Sequence, residues 1–370
     1  MKNILVIFGG KSQEHDISVI TGVLTLNALD KSKFVGVPVY IDKDGRWWTG
    51  KKLNSIANFK NGTPKGLTPV ALFCGESALY SVKGRVRSLL KVSGAINCTH
   101  GRNGEDGTIA GLLKLCNVPL ASPDTFCSAM AMDKDVTKLC LKGLGIKCVD
   151  SVTVYRKDYY KDRLTVLDKL DSSGYPLIIK PCSSGSSIGI TVARNRVEAS
   201  AAFDEAFAFD VKALAERYLE GAIDINCAAY STGKGVVVSE CERPFGGEIL
   251  SFSDKYLGSK SGGKRQFPAE IEEKTVSEIK STTAQIYETF GFSGIVRMDY
   301  LIFGDDVYLN EINAVPGSLG YYLFCNKISE FTDLLTDLLQ FSSDRSREYA
   351  GSRFAFSSSV LDIDGANLKK

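Results

Sequence analysis

Histidine and tryptophan are scarce in this chain, and paired cysteine motifs are missing. Two histidines and two tryptophans occur in 370 residues, and the ten cysteines are scattered without a C-x-x-C pair. Zinc sites built from cysteine and histidine need several such ligands at short spacings, so the composition argues against that class of metal site. Scattered cysteines indicate reduced thiols and therefore favour a cytoplasmic protein.

Excess charge and long apolar runs are also lacking. The net charge is +2 with acids and bases interspersed, which argues against a nucleic-acid-binding surface and favours small-molecule partners. The first apolar segment, Ile4 to Phe8, is too short for a signal peptide, and no window is long enough to suggest a membrane span. The hydrophobic content is 44% over 370 residues, which is enough for two or three compact domains.

Two strand-like segments separated by a turn signal lie near the C-terminal end. Val296 to Phe303 and Val307 to Ile312 are rich in β-branched, aromatic and aliphatic residues. The residues between them, Gly304-Asp305-Asp306, are typical of a tight loop. The pattern predicts a β-hairpin with a three-residue loop, in which Phe303 lies opposite Val307.

Four polar side chains share one face of this predicted hairpin. Counting back from the loop sets Asp299 opposite Glu311 and Arg297 opposite Asn313, and period-two alternation places all four on the same side. Two opposed carboxylates about 5 Å apart repel each other unless a cation lies between them. Their oxygen atoms suit Mg²⁺. The alternative is an ordinary solvated strand face, which the apolar flanks of the second strand disfavour.

The loops that follow two predicted parallel strands carry both histidines. Ile4 to Phe8 runs through a Gly-Gly pair to Glu14 and His15, where a helix begins, and Ala95 to Cys98 runs into a glycine-rich loop containing His100. Open α/β sheets bind ligands at such strand ends. Because no G-x-G-x-x-G fingerprint is present, we expect a small polar ligand rather than a dinucleotide, with purely structural histidines as the alternative.

A serine- and glycine-rich run over residues 182–192 joins two further predicted strands and follows Lys180 directly. A Walker loop has its lysine after the glycines and leads into a helix, and neither condition holds here. Small residues still offer N–H groups and hydroxyls to phosphate oxygens, so a phosphate lid and a plain hairpin loop both fit. A second Gly-, Ser- and Lys-rich stretch, Ser253 to Phe267, fits either a basic lid or a surface loop. A strand is also predicted at Ala213 to Leu219, where a sheet edge could present backbone groups to an adenine.

Seven short motifs occur in a fixed order between residue 9 and about residue 324. They are Glu14, H-G-x-x-G-E-D-G from His100, M-D-K ending at Lys134, K-P-x-x-x-G-S-S from Lys180, K-Y at Lys255, R-x-D from Arg297, and N-E-I-N from Asn310 followed by P-G. The set resembles the D-alanine–D-alanine ligases of the ATP-grasp superfamily. The resemblance implies an α/β protein of three subdomains, with a parallel N-terminal domain over 1–125, a central domain over 126–215, a C-terminal domain over 216–355 and a tail over 356–370.

The resemblance also implies a role for each matched residue. It implies contacts to ATP from Lys134, Lys180, Lys255, Ser186, Ser187, Glu216, Arg217, Tyr218, Leu219, Asp224 and Asn310. It implies two Mg²⁺ ions, replaceable by Mn²⁺, at Asp299, Glu311 and Asn313. It implies contacts to the amino acids from Glu14, His100, Tyr256, Gly317 and Tyr322, with Glu14, Ser186, Tyr256 and Arg297 as the catalytic set.

The implied activity is ATP-dependent formation of D-alanyl-D-alanine, or of another D-alanyl-D-amino acid, for peptidoglycan precursors. The carboxylate of the first substrate would take the γ-phosphoryl group of ATP, and an amine would then displace the phosphate. A homodimer in the cytoplasm is the expected form. The alternatives are an ATP-grasp ligase with another acid or amine, and a nucleotide-binding regulatory protein without turnover.

Two positions depart from the family pattern. Where the family has a ribose-binding glutamate, this chain has Ile223, with Asp224 and Glu220 as nearby substitutes. Where the family has a threonine and then a serine after Pro-Gly, this chain has Leu319 and Tyr322. Because that serine helps to hold the second D-alanine in the family, we expect the second-substrate pocket of this chain to be altered.

Overall fold

The structure is a computed structural model that describes residues 1–245 and 265–352. The helices are α1 (His15–Ala28), α2 (Thr108–Leu115), α3 (Thr125–Met132), α4 (Lys134–Gly143), α5 (Arg156–Lys161), α6 (Arg163–Ser173), α7 (Arg196–Phe209), α8 (Glu273–Thr289) and α9 (Ile328–Ala350), with 3₁₀ turns at Lys51–Asn54, Ile56–Phe59 and Gly317–Leu323. The strands are β1 (Lys2–Gly9), β2 (Phe34–Ile41), β3 (Trp47–Thr49), β4 (Thr68–Leu72), β5 (Ala78–Ser81), β6 (Arg87–Lys91), β7 (Gly94–Asn97), β8 (Ser151–Tyr155), β9 (Leu177–Pro181), β10 (Thr191–Ala193), β11 (Lys212–Arg217), β12 (Ile223–Ser231), β13 (Val236–Val238), β14 (Arg243–Pro244), β15 (Arg265–Gln266), β16 (Val296–Phe303) and β17 (Asp306–Asn313).

The strands form three sheets and one short ladder. The first sheet has the order β6-β5-β4-β3-β2-β1-β7, the second β10-β9-β11-β8 and the third β13-β12-β16-β17, and β14 pairs with β15. Strand β1 runs parallel to β2 and β7, whereas the pairs from β2 to β6 are antiparallel. The expected α/β class is confirmed. In the N-terminal sheet, the expected parallel pairing is limited to β2, β1 and β7.

The apolar strand β1 is buried on both faces, as its continuous hydrophobic run predicts. Ile4, Val6 and Phe8 pack into a core with side chains of α1 and α9. Leu5 and Ile7 point to the opposite face and pack with side chains of α2. Strand β1 therefore ends in a fixed position, and the chain that leaves it leads to the buried residue Glu14.

Helix α4 begins at a capping residue, Asp133. The Asp133 carboxylate accepts hydrogen bonds from the backbone N–H groups of Asp135 and Val136, which satisfies two of the free donors of the first turn. Leu141 on the inner side of α4 packs into the core beneath the third sheet. The cap and this packing fix the first helical residue, Lys134, close to β17.

The predicted connection between two strands after Lys180 is also confirmed. The serine- and glycine-rich run joins β9 to β10 in an antiparallel pair. Helix α8 buries Ile279, Ile286 and Tyr287 and is followed by Gly291 with a φ of +65°. None of the helices in the two described ranges is long and apolar enough to cross a membrane. The residues Lys255 and Tyr256 and the tail over 356–370 lie outside the described residues.

Candidate active site

The hairpin of β16 and β17 has the predicted pairing at its polar end but not at its turn. Phe303 lies opposite Asp306 rather than Val307, so the expected three-residue loop is wrong and the turn contains two residues. The register then shifts between Asp299 and Tyr300, because Asn310 is an extra residue in β17. This bulge compensates for the shorter turn. Asp299 therefore lies opposite Glu311, and Arg297 lies opposite Asn313, as predicted.

The four polar residues of this hairpin are joined by short contacts on one face. Arg297 donates from Nε and Nη2 to the two carboxylate oxygens of Asp299 at 2.7 and 2.8 Å. The side-chain amide of Asn313 donates to Asp299 at 3.0 Å. Glu311 lies 3.3 Å from the ammonium nitrogen of Lys134. The two opposed carboxylates are thus held next to each other, each with its own cation.

The donor set of this face fits a hard divalent cation. Two carboxylates and one amide supply oxygen atoms, and Mg²⁺ prefers oxygen ligands and keeps several waters. Within residues 1–245 and 265–352, no cluster of three histidine, cysteine, aspartate or glutamate side chains forms a metal site. Asp299, Glu311 and Asn313 are the oxygen donors of this face that could hold Mg²⁺, and water and substrate oxygens would supply the other ligands.

A buried cluster of three lysines and one glutamate lies beside the hairpin. Glu216 in β11 is 2% exposed, and its two oxygens lie 3.0 Å from Lys138 Nζ and 2.8 Å from Lys180 Nζ. Lys180 also donates to Asn310 Oδ1 at 3.1 Å, so the bulged residue of β17 links the second and third sheets. The third lysine, Lys134, donates to the Ser184 carbonyl oxygen at 2.7 Å.

Burial and neighbouring charges shift the pKa values of the residues in this cluster. Burial alone would raise the pKa of Glu216, but the ammonium groups of Lys180 and Lys138 hold that pKa below its usual range. Burial lowers the pKa of Lys180, against the attraction of Glu216. Burial also disfavours the charged form of Lys134, but Glu311 raises its pKa above the usual range. The cluster keeps positive charge in a nearly water-free place, which suits phosphate binding.

The Ser/Gly loop after β9 closes onto Glu14. Ser186 donates to the Glu14 carboxylate, and both Ser186 and Ser187 have left-handed backbone conformations, with φ of 52° and 58°. A Cβ atom built at Gly185 would lie 2.6 Å from Glu14 Oε2, so glycine leaves room for the Glu14 carboxylate in its present position. Burial raises the pKa of Glu14, and Glu105 adds to the rise, while His100 and Ser186 oppose it.

The two histidines differ in their surroundings. His15 has both ring nitrogens occupied within the first domain, by the Gly10 carbonyl oxygen at 2.7 Å and the Tyr40 hydroxyl at 3.1 Å. It is a structural histidine, so the expectation that both histidines mark a site is wrong for this one. His100 is buried near Glu14, with Nε2 3.0 Å from Thr21 Oγ1 and Nδ1 3.9 Å from Glu105.

The predicted adenine strand has no free edge over most of its length. Strand β11 is an interior strand, paired with β8 through Lys212 to Glu216 and with β9 through Ala213 to Arg217. The expectation of an open edge there is therefore wrong. Tyr218 and Leu219 follow the strand, and the Tyr218 N–H donates to the Pro176 carbonyl oxygen at 3.0 Å.

Asp224 and Glu220 are the two residues that could replace the ribose-binding glutamate of the family. Asp224 lies on β12, next to the hairpin that carries Asp299. Its strand β12 pairs with β16, and Asn226, two residues later, lies opposite Asp299. Residues two apart on a strand share a face, so Asp224 and Asp299 lie on the same side of the third sheet. Glu220 lies in the exposed turn before β12.

The turn after β17 has an unusual backbone. Ser318, Leu319 and Gly320 have consecutive left-handed φ values of 53°, 52° and 61°. The turn is tied to the first domain, because the Ser318 N–H donates to Thr21 Oγ1 at 3.0 Å and Leu319 is buried in its core. Gly317 begins this turn. Tyr322 follows it and hydrogen-bonds with Arg297; burial, the largest influence, raises the pKa of Tyr322.

Comparisons with known proteins cover nearly the whole chain. The family model described as D-ala D-ala ligase N-terminus matches residues 3–123, and that described as D-ala D-ala ligase C-terminus matches residues 140–340. A D-alanine–D-alanine ligase of Thermosipho africanus is 32% identical, with 98% of this chain and 99% of the relative covered. The chain belongs to the D-alanine–D-alanine ligase family. Members of this family are ATP-dependent, ADP-forming ligases of small molecules that generally use Mg²⁺.

Solved structures of the ligase family have the same fold. The D-alanine–D-alanine ligase of Coxiella burnetii superposes with a TM-score of 0.78 at 25% identity, covering 94% of this chain and 96% of that one. The VanG D-Ala:D-Ser ligase of Enterococcus faecalis gives a TM-score of 0.77 at 27% identity, covering 91% and 99%. The three-subdomain ATP-grasp architecture expected from the sequence is thereby confirmed for this ligase-family chain.

Sequence reasoning missed three charged residues near the site of this ligase-family member. Lys138 could have been found, because it follows Lys134 by four residues and therefore lies on the same face of α4. Glu242 and Arg265 carry no local signal. Glu242 reaches the site through an isolated bridge to Asn226, and Arg265 reaches it through its contact with Glu242.

Proposed function

We propose that this chain joins the carboxylate of D-alanine to the amine of a second D-amino acid, with ATP converted to ADP and phosphate, in the synthesis of peptidoglycan precursors. The observation that supports this most strongly is that a lysine, a glycine of the Ser/Gly loop and two candidate metal ligands line one pocket. Its lining includes Lys134, Gly185, Glu311 and Asn313. The Glu14 carboxylate lies directly beside Gly185, so an amino-acid site and a phosphate site adjoin.

The residues of the first domain suit the first amino acid. Glu14 offers a buried carboxylate to the substrate ammonium, and His100 lies close to it beside Glu105. Displacement of the Ser186 hydroxyl from Glu14 would open this position. The substrate ammonium would then replace a hydroxyl donor with a charged one, which is the stronger partner for a carboxylate.

The phosphate side of the pocket suits ATP. Lys134 lines the pocket, and Lys180 lies in the buried cluster next to it. Ser186 and Ser187 follow Gly185 of the lining and offer hydroxyl and N–H donors. We assign Glu216 to Leu219 to the adenine, Asp224 to the ribose and Asn310 to holding Lys180 in place. Lys255 and Tyr256, which lie outside the described residues, are assigned to a phosphate and to the second substrate on the family resemblance alone.

Asp299, Glu311 and Asn313 would hold two Mg²⁺ ions, or Mn²⁺. When bound, such ions neutralise phosphate charge during transfer. In the first step, a carboxylate oxygen of D-alanine forms a bond to the γ-phosphorus and ADP leaves. In the second step, the amine forms the peptide bond, loses a proton and releases phosphate. Arg297 would stabilise the negative oxygen of the tetrahedral centre.

A nucleotide-binding regulatory protein without turnover is disfavoured by the same residues. A protein that only bound nucleotide would not need Arg297 and the paired carboxylates Asp299 and Glu311. We propose that the chain works as a cytoplasmic homodimer, with subdomains at 1–125, 126–215 and 216–355. The ten cysteines are free, which accords with a reducing compartment.

The proposed function is tested by incubating the chain with ATP, Mg²⁺ and pairs drawn from D-alanine, D-serine, D-lactate and their L-forms, with phosphate release and product mass measured together. We expect D-alanine to be required as the first substrate. We also expect an amine, rather than the hydroxyl of D-lactate, to be the second. Phosphate release that does not depend on any D-amino acid would contradict the proposal.

Replacing Glu14 by glutamine is expected to raise the KM for the first D-alanine by about tenfold to a hundredfold, because a hydrogen bond to a charged partner contributes roughly 1.5–3 kcal/mol. The KM for ATP should stay unchanged. In the wild type, the same KM should rise as the pH falls through the raised pKa of Glu14, since only the ionised carboxylate pairs with the ammonium. Steady-state kinetics at several pH values measures both effects.

Asp16 provides the matched control for this variant. It lies two residues from Glu14, its side chain is 78% exposed and it pairs with Lys43 at 3.4 Å on the surface. Asp16→Asn should leave every KM unchanged. If Glu14→Gln altered only the KM for ATP, the N-terminal loop would not be the amino-acid site.

A further inference from the structure

A second arginine–carboxylate pair lies on the same sheet face as the proposed metal site. Glu242 lies opposite Asn226, Asn226 lies opposite Asp299, and Asp299 lies opposite Glu311. Because directly opposed residues of antiparallel strands share a face, these four polar side chains form one row across the sheet. Glu242 ends this row, and it belongs to none of the assignments made above.

Glu242 is a buried anion whose partners are clear. It is 3% exposed, and it accepts hydrogen bonds from Asn226 Nδ2 at 3.0 Å and from Arg265 Nη1 at 2.8 Å. A buried carboxylate needs such partners, so part of the role of Arg265 is to neutralise Glu242. Neutralising Glu242 does not explain why the guanidinium of Arg265 also lies against aromatic rings.

The guanidinium of Arg265 lies close to two aromatic rings. Its central carbon lies 4.9 Å from the ring centroid of Tyr322 and 5.4 Å from that of Phe267. The Arg265 side chain nevertheless remains 40% exposed. Within the part of the chain that the structure describes, its guanidinium donates one hydrogen bond, from Nη1 to Glu242. The group is thus held by Glu242 and the rings while its side chain stays partly exposed, an arrangement that suits recognition of a carboxylate.

Tyr322 connects Arg265 to the reacting centre. Arg265 stacks on its ring, and Arg297 hydrogen-bonds with its hydroxyl. Arg297 is already paired with both oxygens of Asp299. Of these two arginines, Arg265 uses fewer of its donors in contacts with the described residues.

We propose that Arg265 binds the α-carboxylate of the second amino acid, and that Glu242 and the Tyr322 ring position it for this contact. This inference rests on the proposed ligase function and deepens it. The second substrate would then be selected as a free amino acid, because an amide or ester at its carboxyl end would lose the charged contact. Tyr322, at the position where the family has a serine, would contribute a flat surface for the arginine rather than a hydroxyl for the substrate.

The test compares D-alanine with D-alaninamide as the second substrate, in the wild type and in Arg265→Met. Methionine keeps an unbranched side chain against the two rings but removes the charge and the donors. We expect the wild type to prefer D-alanine by about tenfold or more, as for other charge-assisted contacts. Arg265→Met should raise the KM for D-alanine as second substrate by about the same factor and leave the KM for D-alaninamide unchanged.

Two further variants separate binding from folding. Arg265→Lys keeps a cation beside Glu242 but lacks the planar fork, so we expect a partial loss of the preference. Arg243→Met removes an arginine from the neighbouring strand β14, where it stacks on Phe245, and should leave both KM values unchanged. The KM values for ATP and for the first D-alanine should not change in any of the three.

The outcomes separate this inference from the proposed function. If the wild type forms no product from ATP and D-alanine, the proposed function fails and this inference fails with it. If the wild type forms dipeptide but Arg265→Met affects D-alanine and D-alaninamide equally, or neither, then Arg265 only neutralises Glu242 and the inference is overturned.

Discussion

Replacing Glu311 by glutamine is expected to lower kcat by about a hundredfold or more, which corresponds to roughly 2.7 kcal/mol or more of lost transition-state stabilisation. The substitution keeps the side-chain volume but removes a charge from the face that would hold the Mg²⁺ ions. The variant should fold normally, because Lys134 keeps its hydrogen bond to the Ser184 carbonyl oxygen. Steady-state kinetics at several Mg²⁺ concentrations, together with thermal unfolding, measures both results.

Asp306→Asn is the matched control, because Asp306 is on the same strand. Its carboxylate pairs with Lys147 at the exposed end of the hairpin, where both side chains are about half exposed. We expect kcat within about twofold of the wild type, as for most surface ion pairs. Activity of Glu311→Gln within about threefold of the wild type would rule out the metal assignment, because metal charge contributes several kcal/mol to such reactions.

The hairpin shows which features of the site can be predicted from the sequence and which cannot. Residue alternation and composition placed Asp299 opposite Glu311 correctly. The turn was predicted one residue too long, and the bulge at Asn310 was not foreseen, yet the two errors cancel in the register. A bulge depends on what the extra residue contacts. Here it contacts Lys180 from another sheet, and no local pattern reveals that partner.

Replacing Glu216 by glutamine is expected to lower the free energy of unfolding by about 3–5 kcal/mol, because it leaves two buried ammonium groups without their shared anion. Lys138 and Lys180 are 3% exposed each, and Glu216 is the carboxylate that contacts both. Denaturant unfolding at neutral pH, without nucleotide, measures the change. Since the folded-state pKa of Glu216 is lowered, its contribution is present above the unfolded pKa and is lost as the pH falls through the folded pKa.

Glu240 provides the control for this effect. It pairs with Lys280 at 2.6 Å, but its side chain is 50% exposed. Glu240→Gln should therefore change the free energy of unfolding by less than about 1 kcal/mol. Equal effects of the two substitutions would mean that the Glu216 cluster is hydrated and does not act as a buried charge centre.

The parts of the site that sequence reasoning missed depend on contacts between distant segments. Lys138 has a local signal, since its spacing from Lys134 places both on one face of α4. Glu242 does not, because it joins the sheet through a single bridge to Asn226. The free strand edge expected near Glu216 was wrong for the same kind of reason, because β8 and β9 flank that strand from elsewhere in the chain.

The central claim is that the first substrate is activated by phosphoryl transfer to its carboxylate. The most direct test uses D-alanine labelled with ¹⁸O in both carboxylate oxygens, unlabelled ATP and Mg²⁺, with mass analysis of the released phosphate. The account predicts one ¹⁸O atom in each phosphate and equal amounts of ADP, phosphate and dipeptide, because the bridging oxygen of the acyl phosphate leaves with the phosphorus. Formation of ADP and phosphate without ¹⁸O in the phosphate would mean that water, rather than the carboxylate, attacks ATP, and would contradict the account.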